Sequence, residues 1–118
     1  MQPQTRVLER KVFYPAQVIF KQGEQGDRAY LIQEGVVEIY KVASSGDEQI
    51  IGTLRTGELF GEMALVDDKP RMANARALEN TSVIIISRDT FQEKLAKSDP
   101  FVRGLLNIFV KHIRSLSR

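Results

Sequence analysis

Glu62 and Arg71 are the two residues whose type and spacing promise chemistry, set nine positions apart in Phe60-Gly61-Glu62-Met63-Ala64-Leu65 and Pro70-Arg71-Met72-Ala73-Asn74-Ala75. Arginine carries a planar, permanently charged fork that can hold two oxygens of a phosphate or carboxylate at once. A glutamate carboxylate only accepts hydrogen bonds, which suits it to a hydroxyl donor. The residues around this pair are small: Gly61, Ala64, Ala73 and Ala75 let a ligand approach the backbone, and Pro70 fixes the chain just ahead of Arg71. Glu62-Met63-Ala64-Leu65 favours a helix of about one turn, whose first N–H groups lack partners and attract an anion. Together these features predict a phosphate-bearing ligand. The two charges alone would equally suit a structural ion pair bracketing a loop.

Composition removes most alternatives. The chain has no Cys and a single His, so disulfides, thiolate metal sites and thiol catalysis are excluded, and a Ser-His-Asp triad would rest wholly on His112. His112 lies in a basic stretch without a usefully spaced Ser or Asp and reads as a surface or packing residue. Asp67-Asp68-Lys69 reads as a solvated turn, so no metal and no other cofactor is expected. No Gly-x-x-x-x-Gly-Lys loop occurs, which argues against a nucleotide hydrolase, and no enzymatic activity is expected.

At 118 residues the chain is sized for one domain, and a net charge of 17 − 15 = +2 with 42% hydrophobic residues describes a foldable, globular sequence. The purest apolar run, Val83–Ile86, is far below the roughly 20 residues of a membrane helix, and Met1-Gln2-Pro3-Gln4-Thr5 lacks an apolar signal core. A cytoplasmic protein without a membrane span is expected. Arg103, Lys111, Arg114 and Arg118 make the end basic, read here as a solvated helix face.

The elements that must position Glu62 and Arg71 are mostly strands. Apolar runs at Lys11–Tyr14, Gln17–Lys21, Ala29–Gln33, Val36–Val42, Gln49–Leu54, Glu58–Phe60, Asn74–Leu78 and Thr81–Ser87 alternate with Gly-, Ser- and Asp-rich turns. Strands at this spacing without intervening helices predict an antiparallel sandwich or barrel rather than a parallel sheet. Along Val36–Val42 one face carries Val37 and Ile39, the other Val36, Glu38, Tyr40 and Val42, and either could be the dry one. Tyr30 and Phe60 sit in strand patterns and read as core residues.

After Ser87 the period changes to that of helices, about 88–97 with Ser87 as N-cap, and about 100–116 with Asp99-Pro100 at its start. In the second helix Val102, Leu105, Leu106, Phe109, Ile113 and Leu116 form an apolar stripe that must pack on the barrel, a partner helix or both.

The stretch from Phe60 to Ala77 closely resembles the phosphate-binding cassette of cyclic nucleotide-binding domains, as in kinase regulatory subunits, nucleotide-gated channels and the catabolite activator protein. The resemblance extends through Gly23-Glu24-Gln25-Gly26-Asp27, Ala29-Tyr30-Leu31-Ile32 and Gly35 to the closing helices, covering nearly the whole chain. It implies a mainly β fold: an antiparallel double-stranded β-roll, jelly-roll-like, over about 11–87, with a short cassette helix and two C-terminal helices. On this reading residues 1–118 are a single cyclic nucleotide-binding domain. Arg71 would pair with the cyclic phosphate and Glu62 accept from the ribose 2′-hydroxyl. The backbone N–H groups of Gly61, Met63, Ala64, Met72 and Ala73 would complete the cradle, with Asn74 as a further ligand contact. The family associates a hydroxyl directly after the arginine with guanine recognition, and Met72 has none, which tilts the expected ligand toward cAMP over cGMP.

The implied function is a sensor whose terminal helices move when the nucleotide binds. The competing expectation is a degenerate β-roll that no longer binds nucleotide and serves as an interaction or dimerisation module, with bulky Met72 filling the base site. A homodimer or effector contact through the last helix is open in either case. No recognition-helix pattern occurs in the chain, so no DNA contact is expected of these residues.

Overall fold

Short alternating runs separated by turn residues give eight strands in the computed structural model, which describes residues 9–116. Met1–Thr5 and Arg118, read above for signal and charge, lie outside the described residues. The strands are β1 (Glu9–Phe13), β2 (Val18–Phe20), β3 (Arg28–Glu34), β4 (Val36–Val42), β5 (Glu48–Arg55), β6 (Leu59–Phe60), β7 (Asn74–Ala77) and β8 (Thr81–Ser87). Three helices accompany them: α1 (Met63–Asp67), α2 (Arg88–Ala96) and α3 (Pro100–Leu116).

The strands form two four-stranded sheets, ordered β1-β8-β3-β6 and β2-β7-β4-β5, with every pair antiparallel. Phe13, Tyr30, Ile32, Val37, Phe60, Ala75, Ala77 and Val83 fill the space between them, giving the expected β-roll core. Tyr30 stacks on Phe60 with ring centroids 5.0 Å apart, so both are core residues. On β4 the dry face is that of Val37 and Ile39. Tyr40, on the opposite face, is nonetheless buried because Arg76 of β7 lies across its ring at 4.1 Å. The β3–β4 turn depends on Gly35, whose φ is 124° and where a Cβ would fall 2.4 Å from Thr81 Oγ1.

Both predicted caps form. Ser87 Oγ accepts from Thr90 N at 3.2 Å, and Asp99 Oδ1 accepts from Phe101 N at 2.7 Å. The first strand begins at Glu9 rather than Lys11, because Glu9 and Arg10 continue the ladder opposite Ile85 and Ile84. Helix α3 packs on α1, and its Val110, which lies outside the predicted stripe, is buried, while Val102, Leu105, Phe109, Ile113 and Leu116 of the apolar stripe stay exposed.

Candidate functional site

Arg71 lies in the loop that runs from α1 into β7, and its backbone is clamped to the β2–β3 loop: Arg71 N donates to Glu24 O at 2.8 Å and Gly23 N donates to Arg71 O at 2.8 Å. The side chain turns inward and is only 6% exposed. Its Nη1 donates to Gly61 O at 2.6 Å and its Nη2 to Arg28 O at 2.8 Å, while the guanidinium carbon sits 4.1 Å from the centroid of the Phe20 ring. Glycines make the room for it. A Cβ on Gly26 would lie 2.7 Å from Arg71 Cζ, and one on Gly61 would lie 2.9 Å from Nη1.

No acidic side chain among the described residues forms an ion pair with Arg71. Burial pushes its pKa down, against the longer-range pull of Tyr30, Asp27, Glu24 and Glu62. A buried cation held only by carbonyl dipoles and a ring face is under-compensated, and an incoming anion would correct that. The structural ion pair weighed for Glu62 and Arg71 is therefore not formed.

Glu62 stands at the N-cap of α1 but makes no side-chain capping bond. Burial pushes its carboxyl pKa above the ordinary glutamate range, with its own backbone N–H and the Arg71 charge pulling the other way. Poor solvation of this acceptor is what a ligand hydroxyl would relieve.

Glu62 and Arg71 open onto one cavity of about 250 Å³. Gly61, Met63, Ala64, Met72 and Ala73 line it as well, so seven of the eight residues singled out from the sequence meet at one place. In the loop hydrogen bonds around the site the amides of Gly61, Met72 and Ala73 are not donors. Asn74 is the exception. It is buried behind the site, accepting from Gln22 N at 2.9 Å and donating to Tyr40 O at 3.1 Å, so both ends of its amide hold strands together and it does not line the cavity.

The sequence reading missed the remaining walls: Phe20, Ile39, Leu54 and Leu59 from the sheets, and Ile113 and Arg114 from α3. Alternation placed Ile39 on a face with Val37, and Leu59 stands two residues before Gly61, but nothing local ties the other four to residues 61–73.

The reading of Asp67-Asp68-Lys69 as a solvated turn holds for the exposed Asp68 and Lys69 but needs correction at Asp67. Asp67 closes α1 and accepts two hydrogen bonds from Arg114 of α3, through Nε and, at 3.0 Å, through Nη2. Arg114 also donates to Pro70 O at 2.9 Å. Asp68 accepts from Arg88, which in turn donates to Gly26 O at 2.5 Å, and Gln92 donates to Leu65 O at 2.6 Å. The short helix beside the cavity is thus fastened to both C-terminal helices. His112 is exposed. Among the described residues no cluster of acidic or His side chains could hold a metal ion, and no helix is long and apolar enough to cross a membrane.

The model of the cyclic nucleotide-binding domain family matches residues 10–98. The chain is 29% identical to the cyclic AMP receptor protein of Thermus thermophilus over 107 residues, 91% of this chain and 50% of that protein. It is 36% identical to the cAMP-dependent protein kinase regulatory subunit of Yarrowia lipolytica over 88 residues, 75% of this chain and 23% of that one. The chain thus spans half or less of the length of these relatives. Among solved structures, the cAMP-bound form of the EAL enzyme Bd1971 superposes with a TM-score of 0.85 at 35% identity, covering 90% of this chain and 28% of that one. The cGMP-bound form of the same enzyme superposes equally well, at 0.85.

Proposed function

The chain belongs to the cyclic nucleotide-binding domain family, and from that premise we propose that it is a regulatory domain that binds a cyclic purine mononucleotide, cAMP in preference to cGMP. The observation that carries this reading is Arg71: a buried cation facing a cavity, with no acidic partner among the described residues. In this account the guanidinium takes the cyclic phosphate with its remaining N–H donors, and Glu62 accepts from the ribose 2′-hydroxyl. The amides of Gly61, Met63, Ala64, Met72 and Ala73 add donors to the anion.

Apolar Ile39, Leu54, Met72 and Ile113 are left for the base. None offers a hydroxyl to guanine, which supports cAMP. The EAL enzyme Bd1971 has structures with cAMP in one form and cGMP in another, so both cyclic nucleotides belong in the binding test. No bond-breaking step is assigned to the chain, in keeping with relatives named as a receptor protein and a kinase regulatory subunit.

Binding is coupled to the helices through shared residues. Ile113 and Arg114 of α3 border the cavity, and Arg114 grips the 67–70 loop that leads to Arg71. A ligand that draws Arg71 or fills the space beside Ile113 shifts the balance between α3 positions, provided it binds one position more tightly. Any homodimer or effector contact then runs through the exposed stripe of α3.

Displacement of a fluorescent cAMP analogue by unlabelled cAMP and cGMP tests the binding, and heteronuclear spectra test the coupling. Full displacement with shifts in α3 amides at saturation supports both. No displacement overturns the binding, and unchanged α3 resonances at saturation overturn the coupling.

A further inference from the structure

We propose that Phe20 is the positioning residue for Arg71, the aromatic platform that sets the guanidinium's plane and so its grip on the ligand phosphate. The inference rests on the nucleotide-binding reading and adds a residue to it. An arginine buried without a carboxylate needs something to fix its orientation, and its partners here are few. Two carbonyls, Gly61 O and Arg28 O, take one N–H from each terminal nitrogen. Across the flat of the group lie the Phe20 ring, 4.1 Å away, and the backbone of Gly26, so close that a Cβ there would fall 2.7 Å from Cζ.

The ring is suited to this role for a reason a carboxylate is not. A ring face attracts the cation through its quadrupole while all the N–H groups point outward in the guanidinium plane. A carboxylate would occupy those N–H groups and neutralise the charge that the ligand must meet. Phe20 therefore holds the fork without competing for it. The ring is itself fixed, stacked on Tyr30 at 6.2 Å and tilted against Phe60 at 6.1 Å, so the platform is packed against the core cluster rather than a free rotor. It also borders the cavity.

A double-mutant cycle on cAMP affinity tests this, after saturable binding by the parent is established and melting curves confirm folded variants. Phe20→Leu keeps an apolar side chain and removes the ring; it lowers affinity about 5- to 30-fold in the parent, the size of a desolvated cation–π contact. In an Arg71→Ala background the same change costs under about twofold, because the group it positions is gone. Phe20→Tyr keeps the ring and stays within about threefold of the parent. Equal losses in both backgrounds, no loss in the parent, or a Tyr variant as weak as the Leu variant overturns the inference while leaving nucleotide binding intact. A parent that binds no cAMP overturns both.

Discussion

Arg71 and Arg76 lie five residues apart, each with its guanidinium 4.1 Å from an aromatic ring, and their surroundings are opposite. Arg76 stacks on Tyr40 on the outer face of β4 and reaches Glu38 at 2.6 Å and Glu48 at 2.8 Å. Those carboxylates push its pKa further up, and the Arg76 guanidinium in turn holds the Glu48 carboxyl below its ordinary range. Arg71 stacks on Phe20 inside the roll, has no acidic partner among the described residues, and its pKa is pushed down by burial. An arginine matched by acids is satisfied and cross-links strands. One enclosed without them has charge and donors left for something that arrives later.

The sharpest way to break this contrast is to remove each arginine in turn. Arg71→Ala lowers cAMP affinity about 10- to 150-fold, the range of a charged hydrogen-bonded contact, with little change in melting temperature. Arg76→Ala does the reverse, lowering the melting midpoint by roughly 3–6 °C as Glu38 and Glu48 lose their partner, while affinity stays within about twofold. Binding assays and thermal melts on the two variants check both halves; matching profiles would end the distinction.

Gly26→Ala crowds the enclosed arginine and its neighbour Ala64 but leaves Arg76 alone, since the new Cβ would meet Arg71 Cζ and Ala64 Cβ at 2.7 and 2.8 Å. Overpacking of this kind lowers affinity about tenfold, read by the same titration.

Glu62→Gln tests the other enclosed charge. Burial raises the Glu62 pKa, so the folded state holds that proton more tightly than the unfolded chain does. The resulting penalty is absent below the ordinary glutamate pKa of about 4.3, grows as pH rises through the raised folded value, and is full above it. Glu62→Gln therefore melts above the parent at pH 7, and the difference closes as the pH falls below about 4. Its cAMP affinity falls about 3- to 10-fold, less than for Arg71→Ala, because a neutral acceptor remains. A variant that melts lower than the parent at pH 7 would contradict the desolvation account.

The smallest effect is expected at Asp67→Asn, which loosens Arg114. Amide exchange in the last turns of α3 rises a few-fold, with affinity nearly unchanged.

Much of this architecture was legible in the chain, and the contrast between the arginines shows where legibility ends. Alternation and turn residues placed all the strands, Ser87 and Asp99 marked helix starts, and the small residues around Arg71 located the cavity. Those signals are local. The acids that satisfy Arg76 come from positions 38 and 28 residues earlier, and Arg114 meets Asp67 across 47 residues. No spacing rule links such pairs, because sheet order and helix docking decide them. Asn74 shows the converse: a polar residue beside the motif is used inwardly, on Gln22 and Tyr40, because the alternation of β7 turns it from the cavity.

Calorimetric titration of the purified chain with cAMP, cGMP and 5′-AMP tests the central claim most directly. Saturable single-site binding of cAMP, weaker binding of cGMP and much weaker binding of 5′-AMP is the predicted result. Tighter cGMP would contradict the base assignment alone. No saturable heat at several temperatures, together with no nucleotide-dependent shift in melting, would contradict the claim that Arg71 awaits a cyclic phosphate.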